Sequence, residues 1–527
     1  MDSHSGQSAS IWMQTAAVPL YCKLSGDITI DVCVVGAGIA GLTTAYLLAR
    51  DGKSVILLDD GAIGGGQTER TTAHLANALD DQYCEIERLH GERGAQLAAA
   101  SHTAAIDQIE KIVTQENIHC DFERVNGYLF LAPNESTDLL DRELGAVHRA
   151  GLTNVERIAR APLDDFNTGP CLQFPRQGQF HPLKYLAGLA SAIVNYGGRI
   201  FTETHVTEIA GGSPGRVRTS EGHVVTASSV VVATNTPIND RVAIHTKQAG
   251  YLTYVIGARV PRGSITKALY WDTLDPYHYV RLQSAVSLAN DIATREKADD
   301  QGLADILIVG GEDHKTGQEN DGADRFSRLE AWARERFHAM REVQFRWSGQ
   351  VMEPIDGLAF IGHNPLDHEN VFIATGDSGM GMTHGTIAGI LLTDLIMGRD
   401  NPWGSLYDPA RKTLRAGIEF VKETSNMASQ YSDWMTSGDV SSADEIAADS
   451  GAVLRRRLKK ISIYRDQQGT LHEMSAVCPH LGCIVAWNSS EHTWDCPCHG
   501  SRFDAYGRVI NGPANRDLQG AKSQRKK

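Results

Sequence analysis

The sequence predicts an α/β fold with a small all-β addition (α/β + β). A Rossmann-like nucleotide-binding domain is interleaved with a mixed, largely antiparallel sheet, and a compact β domain follows at the C-terminal end. Three observations predict it. An early apolar strand runs into Gly36-Ala37-Gly38-Ile39-Ala40-Gly41 and then into an amphipathic helix. Far downstream a second glycine-rich turn, Gly376 to Gly381, again joins a strand to a helix. Past both, Cys478-Pro479-His480 and Cys496-Pro497-Cys498-His499 set thiols and imidazoles in two short loops.

A chain of 527 residues exceeds what one hydrophobic core supports, so two or three domains are expected. The divisions read from the pattern are an N-terminal arm (1–26), a large unit with nucleotide-binding and substrate-domain pieces (27–425), a linker (426–450) and the β domain (451–527). Nucleotide-binding pieces fall at about 27–110, 195–245 and 350–400, and substrate-domain pieces at about 120–194 and 246–349. The linker call rests on 437–451, which is small, acidic and poor in large apolar residues. No apolar run is long enough to span a membrane, and the first residues lack a basic region followed by an apolar core, so a cytoplasmic protein is expected. A net charge of -14 argues against nucleic acid as a partner. The exception is a basic tail, Lys522 to Lys527.

In the first βαβ unit, Gly36 makes the tight turn, Gly38 admits a pyrophosphate and Gly41 lets helix pack on strand. The next strand, 54–58, ends in Asp59-Asp60, acids placed to take ribose hydroxyls. The late turn, with Gly376, Asp377, Gly379, Met380, Gly381, Met382 and Thr383, can offer N–H groups to a flavin, which a simple NAD dehydrogenase has no need of. This segment resembles the late FAD motif of the D-amino-acid oxidase superfamily, which includes glycine and sarcosine oxidases. Three more pieces fit in order: Gly66, Gln67, Thr68 and Thr72 after the acids; 198–206, ending at Val206, as an adenine-side strand; and Ala233-Thr234 after 230–232. The resemblance spans about 27–399 and implies FAD. The late motif holds no cysteine, so the flavin is expected to be non-covalent.

Aromatic and β-branched stretches at 127–133, 251–260, 269–273, 277–283, 306–311 and 343–352 read as strands of a roof over the substrate site. Members of the superfamily take a hydride from the carbon beside an amine, and usually hold a substrate carboxylate with an Arg and aromatic hydroxyls. Tyr279 and Arg281, two apart on a strand, share a face and are the substrate-binding candidates, with His314 and Lys315 next. A structural salt bridge is the competing reading for Arg281.

Cys478, His480, Cys496 and His499 stand at C-x-H and C-x-x-H spacing, the ligand set of a Rieske [2Fe-2S] cluster. Tetrahedral zinc also accepts two Cys and two His, but zinc fingers usually keep like ligands together, whereas each loop here contributes one of each. The region 451–518 resembles Rieske domains of the respiratory bc type. That resemblance implies a disulfide between Cys483 and Cys498 and a third cluster loop at Gly512-Pro513-Ala514. Where high-potential members carry Tyr this chain has Phe503, which implies a lower potential.

Together the motifs predict an enzyme that oxidises a C–N bond of an amino acid or amine. Its flavin electrons would pass singly through the cluster to an external one-electron acceptor. Reverse flow from an external donor, feeding a reduction or oxygenation, and a pure electron-transfer protein are the alternatives. A Rieske oxygenase is disfavoured, because no Asp/Glu-x-x-His-x-x-x-His run supplies a mononuclear iron site.

Overall fold

The computed structural model describes residues 6–239, 244–284, 304–412 and 417–520. The basic tail lies outside the described residues. In the nucleotide-binding part, strands order as Phe360–His363, Val371–Thr375, Val224–Val232, Ile28–Val35, Val55–Leu58 and Arg199–Phe201. All neighbours pair in parallel except the first two. Val55–Leu58 is buried throughout, as a strand covered on both faces must be. Helices Ile39–Arg50 and Gly381–Ile396 lie against each other on one face. Gly385 and Gly389 permit the approach, since a Cβ on either would lie 2.5 or 2.4 Å from Ile39 or Thr43.

The adenine-side segment is not one strand. It breaks into Arg199–Phe201 and Val206–Ala210, with Glu203 at φ 49° in the corner between them. The break turns Val206 toward the cavity described below.

The roof is a nine-stranded mixed sheet in which the long strands Gln248–Pro261 and Ala304–Lys315 lie second and third from one edge, inside Val343–Pro354. Three strands went unforeseen: His74–Leu75, Glu156–Ile158 and Cys171–Gln179. The last contains Pro175 and Arg176 (φ 58°). In the sheet they sit at the irregularity opposite Val125 and Gly127, where no ladder donor is needed.

The C-terminal part stacks a three-stranded sheet, Ser450–Arg456, Lys459–Arg465 and Leu471–Ser475, with a four-stranded one, Ala486–Asn488 to Val509–Asn511. Trp494 and Phe503 are fully buried between them. Residues 426–450 are held in place. The helix Gly417–Gln430 runs into a tight turn, Tyr431–Met435, and Asp439 N–H donates to the Val453 carbonyl at 2.8 Å.

Close contacts join the two parts. Buried Glu491 takes Ser348 at 2.6 Å and lies 3.4 Å from the Arg70 guanidinium. Gln350 Nε2 donates to the Gly500 carbonyl at 2.8 Å. Glycines on both sides allow the fit: a Cβ on Gly500 would lie 2.7 Å from Gln350 Nε2 and 3.5 Å from the Gly250 Cα. Among the described residues, no helix is long and apolar enough to cross a membrane.

Candidate active site and cluster site

One continuous cavity of about 330 Å³ runs from the Gly36–Gly41 turn to the roof. Its nucleotide end is made largely of backbone. Gly36 has φ 108°, and a Cβ there would meet the Ala233 carbonyl at 2.3 Å. Gly38 caps the helix Ile39–Arg50, and Met380 caps Gly381–Ile396, neither with a side-chain bond to the first turn. Both helix starts therefore present N–H groups toward the cavity. Asp59 accepts from Ala37 N–H at 2.6 Å and Gly61 N–H at 2.8 Å, and burial with the neighbouring Asp60 charge pushes its carboxyl up to about 7. Asp60 pairs with His205 at 3.3 Å. Two buried amide nitrogens on the wall, Gln67 Nε2 and Asn235 Nδ2, have no hydrogen-bond partner among the described residues. Helix starts whose cap residues lend no side-chain bond, with the Ile39 N–H taken by Thr68 Oγ1 at 3.3 Å, and the two orphaned amides fit a group rich in phosphate and hydroxyl oxygens.

Of the residues expected to bind cofactor, Ala37, Ile39, Ala40, Gly66, Thr68, Thr72, Val206, Thr234, Gly376, Asp377, Gly379 and Met382 also line this cavity. Gly41 and Thr383 do not. Gly41 stands 1.9 Å, at its notional Cβ, from the Gly36 carbonyl and serves helix packing. The Thr383 hydroxyl turns away to His102 Nδ1 at 2.9 Å.

The roof end is made of side chains. Tyr279 lies over Gly310, whose missing Cβ would stand 2.2 Å from the ring, and its hydroxyl meets Thr253 at 2.7 Å. Tyr277 donates to Asp80 at 2.6 Å. Burial pushes Asp80 up to about 7 and Asp377 to about 6, and raises Asp313. Glu353 is raised well above its usual range, by burial first and then by Asp81 and Asp377. His74 and His384 line the same space, and burial pulls them down to about 3 and about 4, so both stay neutral. Asp377 belongs to the late glycine turn and Asp313 adjoins the candidates His314 and Lys315. Asp80 and Glu353 come from separate segments that carry no motif.

The structure places three substrate candidates outside the cavity lining. Arg281 shares a strand with Tyr279 but does not line the cavity. Its guanidinium donates to the carbonyls of Thr72, Ala73 and Phe180 at 3.3, 2.9 and 3.0 Å and to Gln283 at 2.7 Å, with Trp12 packed against it. His314 bonds Tyr254 at 3.0 Å, and Lys315 is paired with Glu423 at 2.6 Å, both away from the cavity.

In the C-terminal part, Cys478 and Cys496 are buried within hydrogen-bond reach of each other, and Ser501 also bonds Cys478. The imidazoles of His480 and His499 meet edge to face, with centroids 5.0 Å apart and planes 84° apart. Cys483 and Cys498 form a disulfide that ties the two loops. Two adjacent thiols and two adjoining imidazoles, brought together from both loops, fit the donor set of a [2Fe-2S] cluster. On the other side of the seam, buried His245 packs 4.9 Å from the His480 ring and 6.1 Å from that of His499. From the third loop, Asn511, Gly512, Ala514 and Asn515 form part of the cavity wall.

Comparison with known proteins bears directly on this arrangement. The family described as FAD dependent oxidoreductase matches residues 31–395. The chain belongs to that family. The Rieske [2Fe-2S] domain matches residues 436–522, so this FAD dependent oxidoreductase carries a second, C-terminal redox domain and the two cofactors are FAD and a [2Fe-2S] cluster. The putative Rieske 2Fe-2S iron-sulfur protein YhfW of Bacillus subtilis (strain 168) is 30% identical over 513 residues, 96% of each chain. Gamma-glutamylputrescine oxidoreductase of Escherichia coli (strain K12) is 28% identical over 389 residues, 71% of this chain and 85% of that one. Glycine oxidase from Geobacillus kaustophilus shares the fold of 73% of this chain and 99% of its own, with a TM-score of 0.59 at 18% identity.

Proposed function

We propose that the enzyme oxidises a cationic amine at the carbon beside nitrogen and releases the electrons through its Rieske domain. The glycine turns at 36–41 and 376–381, with Asp59, Gln67 and Asn235, would hold FAD. Cys478, Cys496, His480 and His499 would supply the two thiolates and two imidazoles that a [2Fe-2S] cluster takes. The observation that carries the substrate reading is the roof. Asp80, Asp313 and Glu353 converge there with Tyr277 and Tyr279, and Arg281, the expected carboxylate clamp, is occupied elsewhere. Buried carboxyls with raised pKa values are an unfavourable place for a second carboxylate and a favourable one for an ammonium, whose charge would draw them back to the ionised form. The name of the Escherichia coli relative, which refers to an amine, supports the same reading.

Bound FAD supplies a two-electron acceptor for hydride. The protein's share is to orient the substrate and move a proton. Asp80, poised near 7, accepts a proton from the substrate ammonium, which frees the nitrogen lone pair to expel hydride and leaves an iminium product. Tyr277 holds the Asp80 carboxylate in place. The third cluster loop in the cavity wall and His245 beside both imidazoles support an exit for electrons within the chain. Anaerobic titration with diamines, simple amines and zwitterionic amino acids tests the reading. Diamines should bleach the flavin fastest, and bleaching by amino acids alone would overturn it.

A further inference from the structure

Resting on the reading that electrons leave through the cluster, we infer that the solvent face of the first cluster loop is the docking surface for an acidic one-electron carrier protein. The imidazole side of the site packs against His245 and the backbone contact of Gly250 with Gly500, which leaves His499 buried and His480 half-buried. The opposite edge of the loop is open. Of the eleven large apolar side chains exposed among the described residues, five gather there: Tyr431 (39%), Trp434 (38%), Met435 (83%), Leu458 (85%) and Leu481 (37%).

Hydrogen bonds join them into one surface. The Tyr431 hydroxyl donates to the Leu481 carbonyl at 2.9 Å and Trp434 Nε1 to that of Gly482 at 3.0 Å, so two aromatic rings rest on the loop between His480 and Cys483. Arg455 then donates to the carbonyls of Met435 and Thr436 at 3.0 and 3.1 Å, and Lys460 to the Thr436 hydroxyl at 2.7 Å. These bonds attach the hairpin Arg455-Arg456-Arg457-Leu458-Lys459-Lys460 to the aromatic turn, with Leu458 at its tip.

The charge of this surface decides the partner. Of the five cations in these six residues, Arg455, Arg456, Arg457 and Lys459 are exposed and Lys460 is buried, in a chain whose net charge is -14. Glu473 pairs with Arg456 at 2.9 Å, and Asp433 and Asp439 face Lys460, so these five cations outnumber the three acids around the tip. An acidic protein is repelled by the rest of the molecule and drawn here, which orients it with its redox centre toward the cluster. The exposed apolar residues supply the short-range contact. One electron crosses per encounter. A ferrous iron of the reduced cluster becomes ferric and the carrier is reduced by one electron, with no proton required.

The test uses the full-length holoprotein and an acidic plastocyanin as probe, with a basic c-type cytochrome as the opposite charge. Binding of the oxidised proteins is measured by calorimetry at low and high salt. One-electron transfer from photoreduced holoprotein is followed by stopped flow, and because it needs no amine, failure of the substrate reading leaves it intact. Plastocyanin should bind more tightly than the cytochrome, and added salt should weaken it. Arg457→Glu with Lys459→Glu should weaken binding and slow bimolecular transfer at least tenfold, with the cluster EPR signal unchanged. Leu458→Ser should cost a few-fold in affinity at any salt concentration. Tighter binding of the basic cytochrome, or indifference of both readouts to charge reversal, would overturn the proposal. So would salt-sensitive binding to phosphatidylglycerol vesicles that the reversal abolishes while plastocyanin binding stays unchanged, which would make the surface a lipid contact.

Discussion

The two ends of the cavity are built from different materials. At the nucleotide end, two strand-to-helix turns present backbone N–H groups, and glycines clear the space. At the roof end, Asp80, Asp313, Glu353 and two tyrosines converge as side chains from distant segments. Backbone sites are specified by local sequence, because a turn of given geometry needs glycine at given positions. Side-chain sites are specified by the packing of sheets, which no short motif records. The nucleotide end should therefore be intolerant of any added atom, and the roof tolerant in shape but sensitive in charge.

The largest effect should come from the backbone end. Gly36→Val places its side chain against the Ala233 carbonyl in a conformation, φ 108°, that a β-branched residue resists. Purified protein should lack bound flavin almost completely while the Rieske EPR signal persists. Full flavin occupancy would mean that the turn can reshape, and the contrast between the two ends would fail.

The roof should respond next. Asp80→Asn keeps the shape and the Tyr277 contact but removes the charge and the proton acceptor, and kcat/KM for a diamine should fall roughly 100-fold. The pH dependence fixes the sign. Burial raises Asp80 to about 7, so below that pH the carboxyl is protonated and cannot accept. In the parent enzyme kcat/KM should rise as pH passes through about 7, and in Asp80→Asn this limb should vanish. An unchanged limb would assign the proton to another group.

His245 tests whether the seam behaves like the roof. Its ring packs against both imidazoles of the cluster site, so His245→Ala opens a space there without touching a loop cysteine. The cluster EPR g-values should shift and transfer from reduced flavin to cluster should slow by about tenfold. Identical spectra and rates would reduce His245 to filler.

Legibility followed the same division. The strands Ile28–Val35 and Val55–Leu58, both glycine turns and the two short loops that bring Cys478, His480, Cys496 and His499 together were readable, because spacing along the chain fixes their geometry. The corner at Glu203 was not, since 198–206 carries the apolar rhythm of one strand and only the sheet edge forces the turn. Glu491 was not readable either. It is an ordinary hairpin acid until the two domains close over Arg70 and Ser348.

Arg281 shows where periodicity stops short. Alternation along a strand correctly put it on the face of Tyr279, but it says nothing of what lies above that face. In the fold, three carbonyls from two other segments and Gln283 take the guanidinium, and burial pulls its pKa down. Its work is to satisfy buried backbone. Arg281→Lys keeps a cation but cannot serve four acceptors in a planar fork, so stability should fall by about 1–3 kcal/mol, read as a lower Tm. The kinetic effect should be the smallest of the series, with KM for a diamine moving less than about twofold, because the side chain does not reach the cavity. A tenfold rise in KM at unchanged Tm would return Arg281 to the substrate. It would also mean that the roof, like the turns, can be read from position along a single strand.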